Sequence, residues 1–230
     1  MSVGSAPATF WRSHLLYPLA AFSLLAALFE SYPLDFMLAD TLFEWQDNRW
    51  LFREHWLLED LLHTGARQLM IATALLLIVI WTASLFLRAM QNLRSRLGYL
   101  LLSALLSATC ISLLKQITGI DCPWSLSRYG GDQGFVSLLM ARPDSYPAAK
   151  CFPAGHASAG YSWLGVYYLL RSYRPAWKWA GLALVLTAGL VFGVTQQIRG
   201  AHFISHDLWT LAICWLNATV LYGTFFYKRT

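Results

Sequence analysis

The sequence predicts an all-α polytopic membrane protein: a six-transmembrane-helix bundle with an interfacial amphipathic segment on one face. Three observations carry that prediction. Of the 230 residues, 57% are hydrophobic and only 13% are charged, with a mean hydropathy of +0.46, whereas a soluble domain carries about 25% charged residues. The apolar residues gather into runs approaching the roughly 20 residues that cross about 30 Å of hydrocarbon. The charges between those runs are sorted by sign. The same composition excludes intrinsic disorder, whose signature is low hydrophobicity with high net charge. No internal repeat or low-complexity tract divides the chain, and the whole of 1–230 reads as one membrane-embedded domain.

The first run, 15–29, follows a weakly basic start at Trp11 and Arg12. The residues after it, Glu30, Ser31, Tyr32 and Pro33, offer no small-x-small cleavage site, so it reads as a span and not as a removed signal. Residues 31–66 mix Trp, Leu and Phe with charges, as at Phe43, Glu44, Trp45, Trp50, Phe52, Arg53 and Trp56. That mixture suits amphipathic helix lying in the interface, either as a structural cap or as a contact for lipid. The second and third runs, 69–87 and 97–114, are joined by a short loop holding Arg88, Arg94 and Arg96. A long loop, 116–155, follows with Gly119, Gly130, Gly131, Gly134 and four prolines; loops of that length are usually functional or disordered. The fourth and fifth runs, 157–170 and 180–194, flank Arg171, Arg174 and Lys178, and a short segment leads into the sixth, 208–227. Several runs are shorter than a full span and must borrow flanking aromatic or polar residues.

With six spans, Arg12 and the tail Lys228 and Arg229 fall on the side of the two basic loops, and all 12 Asp and Glu residues fall on the other. The positive-inside rule then makes the basic side, with both termini, cytoplasmic. The net charge of +5 is therefore a topology signal and not a nucleic-acid footprint. Four irregularly spaced cysteines make neither a C-x-x-C metal site nor a dense disulfide scaffold.

Ionisable residues near spans are functional suspects, and here they gather at the outer ends of the third to sixth runs. Lys115 to Trp124 closes the third, Cys151 to Ser158 opens the fourth, and Gln196 to Asp207 joins the last two. Singly, each has a bland reading: a lone Lys snorkels, a His after Pro-Ala-Gly is a polar helix start, and two histidines four apart are a structural pair or a metal site. Together they supply a cation, a lone His and a His pair on one face. Phosphoryl transfer needs that set: positive charge for the phosphoryl oxygens, an in-line nucleophile and an acid for the departing oxygen. Neutral imidazole serves as nucleophile, and a second as acid and then base.

On these residues the sequence resembles the type 2 phosphatidic acid phosphatase superfamily of integral-membrane lipid phosphatases, with motifs K-x6-R-P, P-S-G-H and S-R-x5-H-x3-D. The resemblance runs from Lys115 to Asp207. Lys115 with Cys122 and Pro123 matches the first motif, with Cys for Arg; Pro153, Ala154, Gly155 and His156 match the second, with Ala for Ser. Gly200, Ala201, His202 and Phe203 match the segment around the nucleophile. In that register the motif Arg falls on Gln196 and the motif Asp on His206, with Asp207 one residue late. If the sixth helix has begun by His202, His206 shares its face and Asp207 points elsewhere. A rival register makes Arg199 the motif Arg and His206 the nucleophile, at the cost of one extra residue and of Thr210 where Asp belongs.

The resemblance implies hydrolysis of a phosphomonoester or diphosphate on a lipid carrier, without cofactor or metal. It casts His202 as nucleophile, His156 as acid and base, His206 as its orienting partner, and Lys115 with Arg199 or Arg128 as the phosphate clamp. Undecaprenyl pyrophosphate, phosphatidylglycerol phosphate, phosphatidic acid and lipid A phosphates are the candidate substrates, and a bacterial inner membrane with a periplasmic active site is the implied location. Three rivals stand beside this reading: a phosphotransferase using the same phosphohistidine, a non-catalytic lipid-binding or transport protein, and a metal site on His202 and His206. Cys122 and Cys151 bracket the long loop beside Lys115 and His156. If those two residues converge on one phosphate, the cysteines meet, and an oxidising compartment joins them in a disulfide.

Overall fold

A computed structural model describes residues 6–227, apart from 139, 141, 142, 144, 145, 147 and 148 and the side chains of 60–63 and 66. Lys228 and Arg229, used above for the sidedness, lie outside the described residues. Among those described, the chain is all helix and loop with no strand, and five helices are long and apolar enough to cross a membrane.

Helix α1 (Ala8–Ser31) widens to π geometry at Arg12–Leu16, just ahead of Pro18, which has no N–H to give the helical ladder. After Pro33 a shorter helix, α2 (Leu34–Trp45), leads through turns in which Asp47 and Asn48 take left-handed backbone, a conformation short polar side chains tolerate. A π-helical stretch, Leu57–Gly65, runs into α3 (Ala66–Phe86), and α4 (Arg94–Ile117) follows a 3₁₀ turn. The remaining spans are α6 (Lys178–Ile198) and α7 (Ile204–Leu221), the latter continuing as a π turn to Phe226. In α4, α6 and α7, between 33% and 39% of the most apolar window is buried; in α1 it is 0% and in α3 6%. The first three therefore make the bundle's interior wall, and α1 and α3 flank it.

The fourth predicted span departs from the prediction. Residues 157–170 are not one long apolar helix: the segment, α5, runs in three pieces, Ser158–Tyr161, a 3₁₀ turn Ser162–Leu164, and Gly165–Tyr173. It falls short of the length and hydropathy of a free-standing span because it lies in the centre of the bundle. Tyr161, Leu164, Tyr167 and Tyr168 are all core residues, and a helix surrounded by protein has no lipid to satisfy. Its approach to α6 depends on glycine. A Cβ on Gly160 would sit 2.2 Å from the Gly189 nitrogen, and one on Gly189 would sit 2.1 Å from the Tyr161 ring. Small residues let membrane helices touch backbone to backbone.

The amphipathic segment 31–66 is likewise more than a surface float. It clamps the α6–α7 loop: Gln46, fully buried, donates from Nε2 to the Ile198 carbonyl, 2.9 Å, and Asp35 accepts from the Ser205 amide, 3.0 Å, and hydroxyl, 2.5 Å. Gly200 has a left-handed φ of 72°, and a Cβ there would stand 2.4 Å from the Trp50 ring. These contacts make the segment a structural cap on the α6–α7 loop.

Candidate active site

Three loops meet where α4, α5 and α7 end, and backbone hydrogen bonds fix their order. The Thr118 hydroxyl donates to the Phe152 carbonyl, 2.7 Å, and the Cys151 amide to the Ile120 carbonyl, 3.0 Å. These tie the Lys115 segment to the His156 segment. The Ala154 amide donates to the His206 carbonyl, 3.3 Å, and the Thr210 hydroxyl returns a bond to the Ala154 carbonyl, 3.1 Å. Ala154 is completely buried, so the turn before His156 is bolted to the first turns of α7. The Trp124 amide closes the circuit on the Gly200 carbonyl, 2.9 Å. Cys122 and Cys151 are joined in a disulfide with Cα atoms 5.2 Å apart.

The circuit brings four of the sequence-predicted site residues together. Lys115 Nζ lies 3.0 Å from the point where a Cβ on Gly155 would stand, so glycine before His156 makes room for the ammonium. The His156 and His202 rings are 6.2 Å apart between centroids, and those of His202 and His206 5.7 Å. His202 is 4% exposed. Burial first, and then the electrostatic neighbourhood of His206, Lys115 and His156, hold its pKa well below the ordinary imidazole value. A neutral imidazole is the nucleophilic form.

Helix α7 begins at Ile204, after His202, with Phe203 in extended backbone at its cap. The same-face argument for His202 and His206 therefore does not apply as stated; the two rings meet across the helix start. Asp207 does point elsewhere, accepting a hydrogen bond from Gln197 on α6.

The guanidinium groups of Arg199 and Arg128 are engaged away from this cluster. Arg199 donates from Nε to the Arg53 carbonyl, 2.9 Å, and from Nη1 to Gln196 Oε1, 3.0 Å, and it pairs with Glu59. Arg128 grips Asp40 with Nε, 2.7 Å, and Nη2, 2.5 Å, and lies over the Phe36 ring. That bidentate pair holds the Asp40 carboxyl below its ordinary range. The reason neither was foreseen is distance in sequence: Asp40, Arg53 and Glu59 sit in the cap segment, whose charges read only as one face of an amphipathic helix. Asp35, Gln46 and Trp50 were missed for the same reason. Among the described residues, no three His, Cys, Asp or Glu side chains are placed to hold a metal ion.

Fold and site together define an all-helical polytopic membrane protein with a buried lysine-and-histidine centre at one end of its bundle. The chain belongs to the PAP2 superfamily: that family's profile matches residues 96–230, more than half its length and all three site segments. No curated protein and no solved structure matches it. Family membership gives a phosphatase-type activity on phosphorylated substrates and association with the membrane.

Proposed function

We propose that the protein hydrolyses a phosphomonoester or diphosphate on a membrane lipid through a phosphohistidine at His202. The observation that carries this reading is the convergence of Lys115, His156 and His202 from three separate segments on one buried centre. His202, neutral, attacks phosphorus. His156 protonates the leaving oxygen, and Lys115 stabilises the charge on the phosphoryl oxygens in a site partly shielded from water. Water deprotonated by His156 then attacks phosphorus, the P–N bond breaks, and phosphate leaves with His202 restored. His206, its ring against that of His202, positions the nucleophile. Arg199, with its donors committed to Arg53, Gln196 and Glu59, acts by fixing the loop that carries His202. The positive-inside pattern supports cytoplasmic termini and a periplasmic site in a bacterial inner membrane.

The test is release of inorganic phosphate by the purified protein in detergent from a panel of undecaprenyl pyrophosphate, phosphatidylglycerol phosphate, phosphatidic acid and lipid A phosphates. Release that disappears in His202→Ala supports the reading. No release from any member of the panel overturns it. Activity in His202→Ala with none in His206→Ala moves the nucleophile to His206.

A further inference from the structure

At the end of the bundle away from His156, His202 and His206, a row of rings joins α1 to the turn between α5 and α6. Phe10 stacks on His14, 4.6 Å between centroids; His14 meets Tyr167 at 5.9 Å, and Tyr167 meets Trp179 at 5.5 Å. Two hydrogen bonds fix His14 in the middle of the row. Its Nε2 shares one with the Tyr167 hydroxyl, 3.2 Å, and its carbonyl accepts one from Trp215 Nε1 on α7, 2.7 Å. This is where α1 widens to π geometry, at Arg12–Leu16, a distortion that is frequent at functional positions. A cation stands at each end of the row. The Arg171 guanidinium lies 5.3 Å from the Phe10 ring centroid, and Lys178 Nζ lies 5.4 Å from that of Trp179. The charges of both reach His14. No Asp or Glu occurs in 1–29 or 145–206, so α5, α6 and all of α1 before Glu30 bring no carboxylate to neutralise them.

An apolar groove of about 340 Å³ runs from this row along the bundle, between α1, α6 and α7. Pro18, about one turn beyond His14, and Leu182, about one turn beyond Lys178, both line it, and so does Trp215 itself. Every residue of its lining is apolar. Trp177 and Trp179, 64% and 62% exposed, place the row in the membrane, because tryptophans gather at the headgroup level of a bilayer. The two cations therefore stand at the depth of a lipid phosphate and the groove at the depth of its chains. Basic pockets between membrane helices hold anionic headgroups, whereas the ammonium of a zwitterionic lipid is repelled by the same cations. We infer that this end of the bundle binds one anionic diacylphospholipid, its phosphodiester on Arg171 and Lys178 and one acyl chain in the groove. Seated there, the lipid joins α1, none of whose most apolar window is buried, to α6 and α7.

The experiment is native mass spectrometry of the full-length protein in detergent with an equimolar mixture of dioleoylphosphatidylglycerol and dioleoylphosphatidylcholine. The wild-type protein is expected to retain phosphatidylglycerol over phosphatidylcholine by about tenfold or more. In the double variant Arg171→Gln, Lys178→Gln that ratio falls toward one. The control, Arg88→Gln with Arg174→Gln, removes two exposed charges from the basic loops and keeps the ratio. Ala212→Phe, which fills the groove from α7, lowers the amount of phosphatidylglycerol retained. The ratio is internal to each variant, so a lower yield of folded protein does not disguise it. A ratio of one in the wild-type protein, an equal fall in the control pair, or unchanged retention in Ala212→Phe overturns the inference. The readout is bound lipid and not phosphate release, so either result leaves the reading of the His202 centre where it was.

Discussion

Around Tyr168, in the half of the bundle away from His156, His202 and His206, three buried tyrosine hydroxyls are paired. Tyr168 shares a 2.5 Å hydrogen bond with Thr219, the Tyr99 hydroxyl donates to the Ala218 carbonyl at 3.0 Å, and Tyr222 meets Ser172 at 2.6 Å. Rings stack across the same residues, Tyr168 on Tyr222 at 5.0 Å. Around His202 the opposite holds: His202 Nδ1, His206 Nδ1 and Asp207 Oδ1 are buried without partners. Both regions lie on α4, α5 and α7, so the helices themselves do not account for the difference. Burying a polar atom without a partner costs stability, and three such atoms gather on His202, His206 and Asp207.

The sharpest way to break this comparison is to remove a histidine. His202→Ala is expected to lower phosphate release by at least about 10³-fold, with the tyrosine cluster untouched and the melting temperature in detergent little changed. A large loss of stability with that substitution would make His202 a core residue like Tyr168. Next comes Lys115→Ala, expected to lower turnover by about 10²-fold through lost charge stabilisation, again with a small effect on melting. Arg199→Ala sharpens the contrast, because its partners are Arg53, Gln196 and Glu59: it should lower melting temperature and turnover together. A turnover loss with unchanged melting would return Arg199 to the phosphate clamp.

Much of this was legible in the sequence, for reasons that differ by region. Hydropathy located α1, α3, α4, α6 and α7 because their outward faces meet lipid and must be apolar. It located α5 too, at 157–170, but not its break into three pieces or its burial, because its tyrosines and serines face other helices. The motif residues Lys115, His156 and His202 were legible because chemistry constrains their type and spacing. The surroundings of Arg199 were not: its carboxylate partner lies 140 positions earlier, and no local pattern in 53–59 encodes that contact.

The disulfide joins the two kinds of region. Breaking the Cys122 to Cys151 bridge, which spans 29 residues of sequence, should cost about 3–4 kcal/mol in the chain-entropy picture. Because Cys151 and Phe152 tie the Lys115 segment to the His156 segment, Cys122→Ser should also slow turnover more than an equal destabilisation made elsewhere. The control is Tyr168→Phe, expected to cost about 1–2 kcal/mol by leaving Thr219 short of its partner, with turnover unchanged. Melting curves and rates on the two variants separate them; equal effects on rate would dissolve the distinction between the halves.

The smallest expected effect is in pH, and the contribution of His202 to it is isolated by substitution. Burial lowers its folded-state pKa well below 6.5, while in the unfolded chain it titrates near the ordinary value of about 6.5. Below that value the unfolded state binds a proton that the folded state refuses, so stability rises with pH through this window and falls as pH drops from 6.5 toward the folded pKa. The melting temperature of the wild-type protein should therefore decline between pH 7 and pH 5, and His202→Phe should decline less, since one refused proton has been removed. Tyr168→Phe should follow the wild-type slope, because tyrosine does not titrate in that range. For catalysis the sign is the same in origin: the nucleophile stays neutral and competent below pH 6.5, so the acid limb of the rate profile lies lower than an exposed histidine would put it. A wild-type melting temperature flat from pH 7 to 5, or a slope that survives His202→Phe intact, would show that His202 is not the buried neutral base on which the comparison between the two ends of the bundle depends.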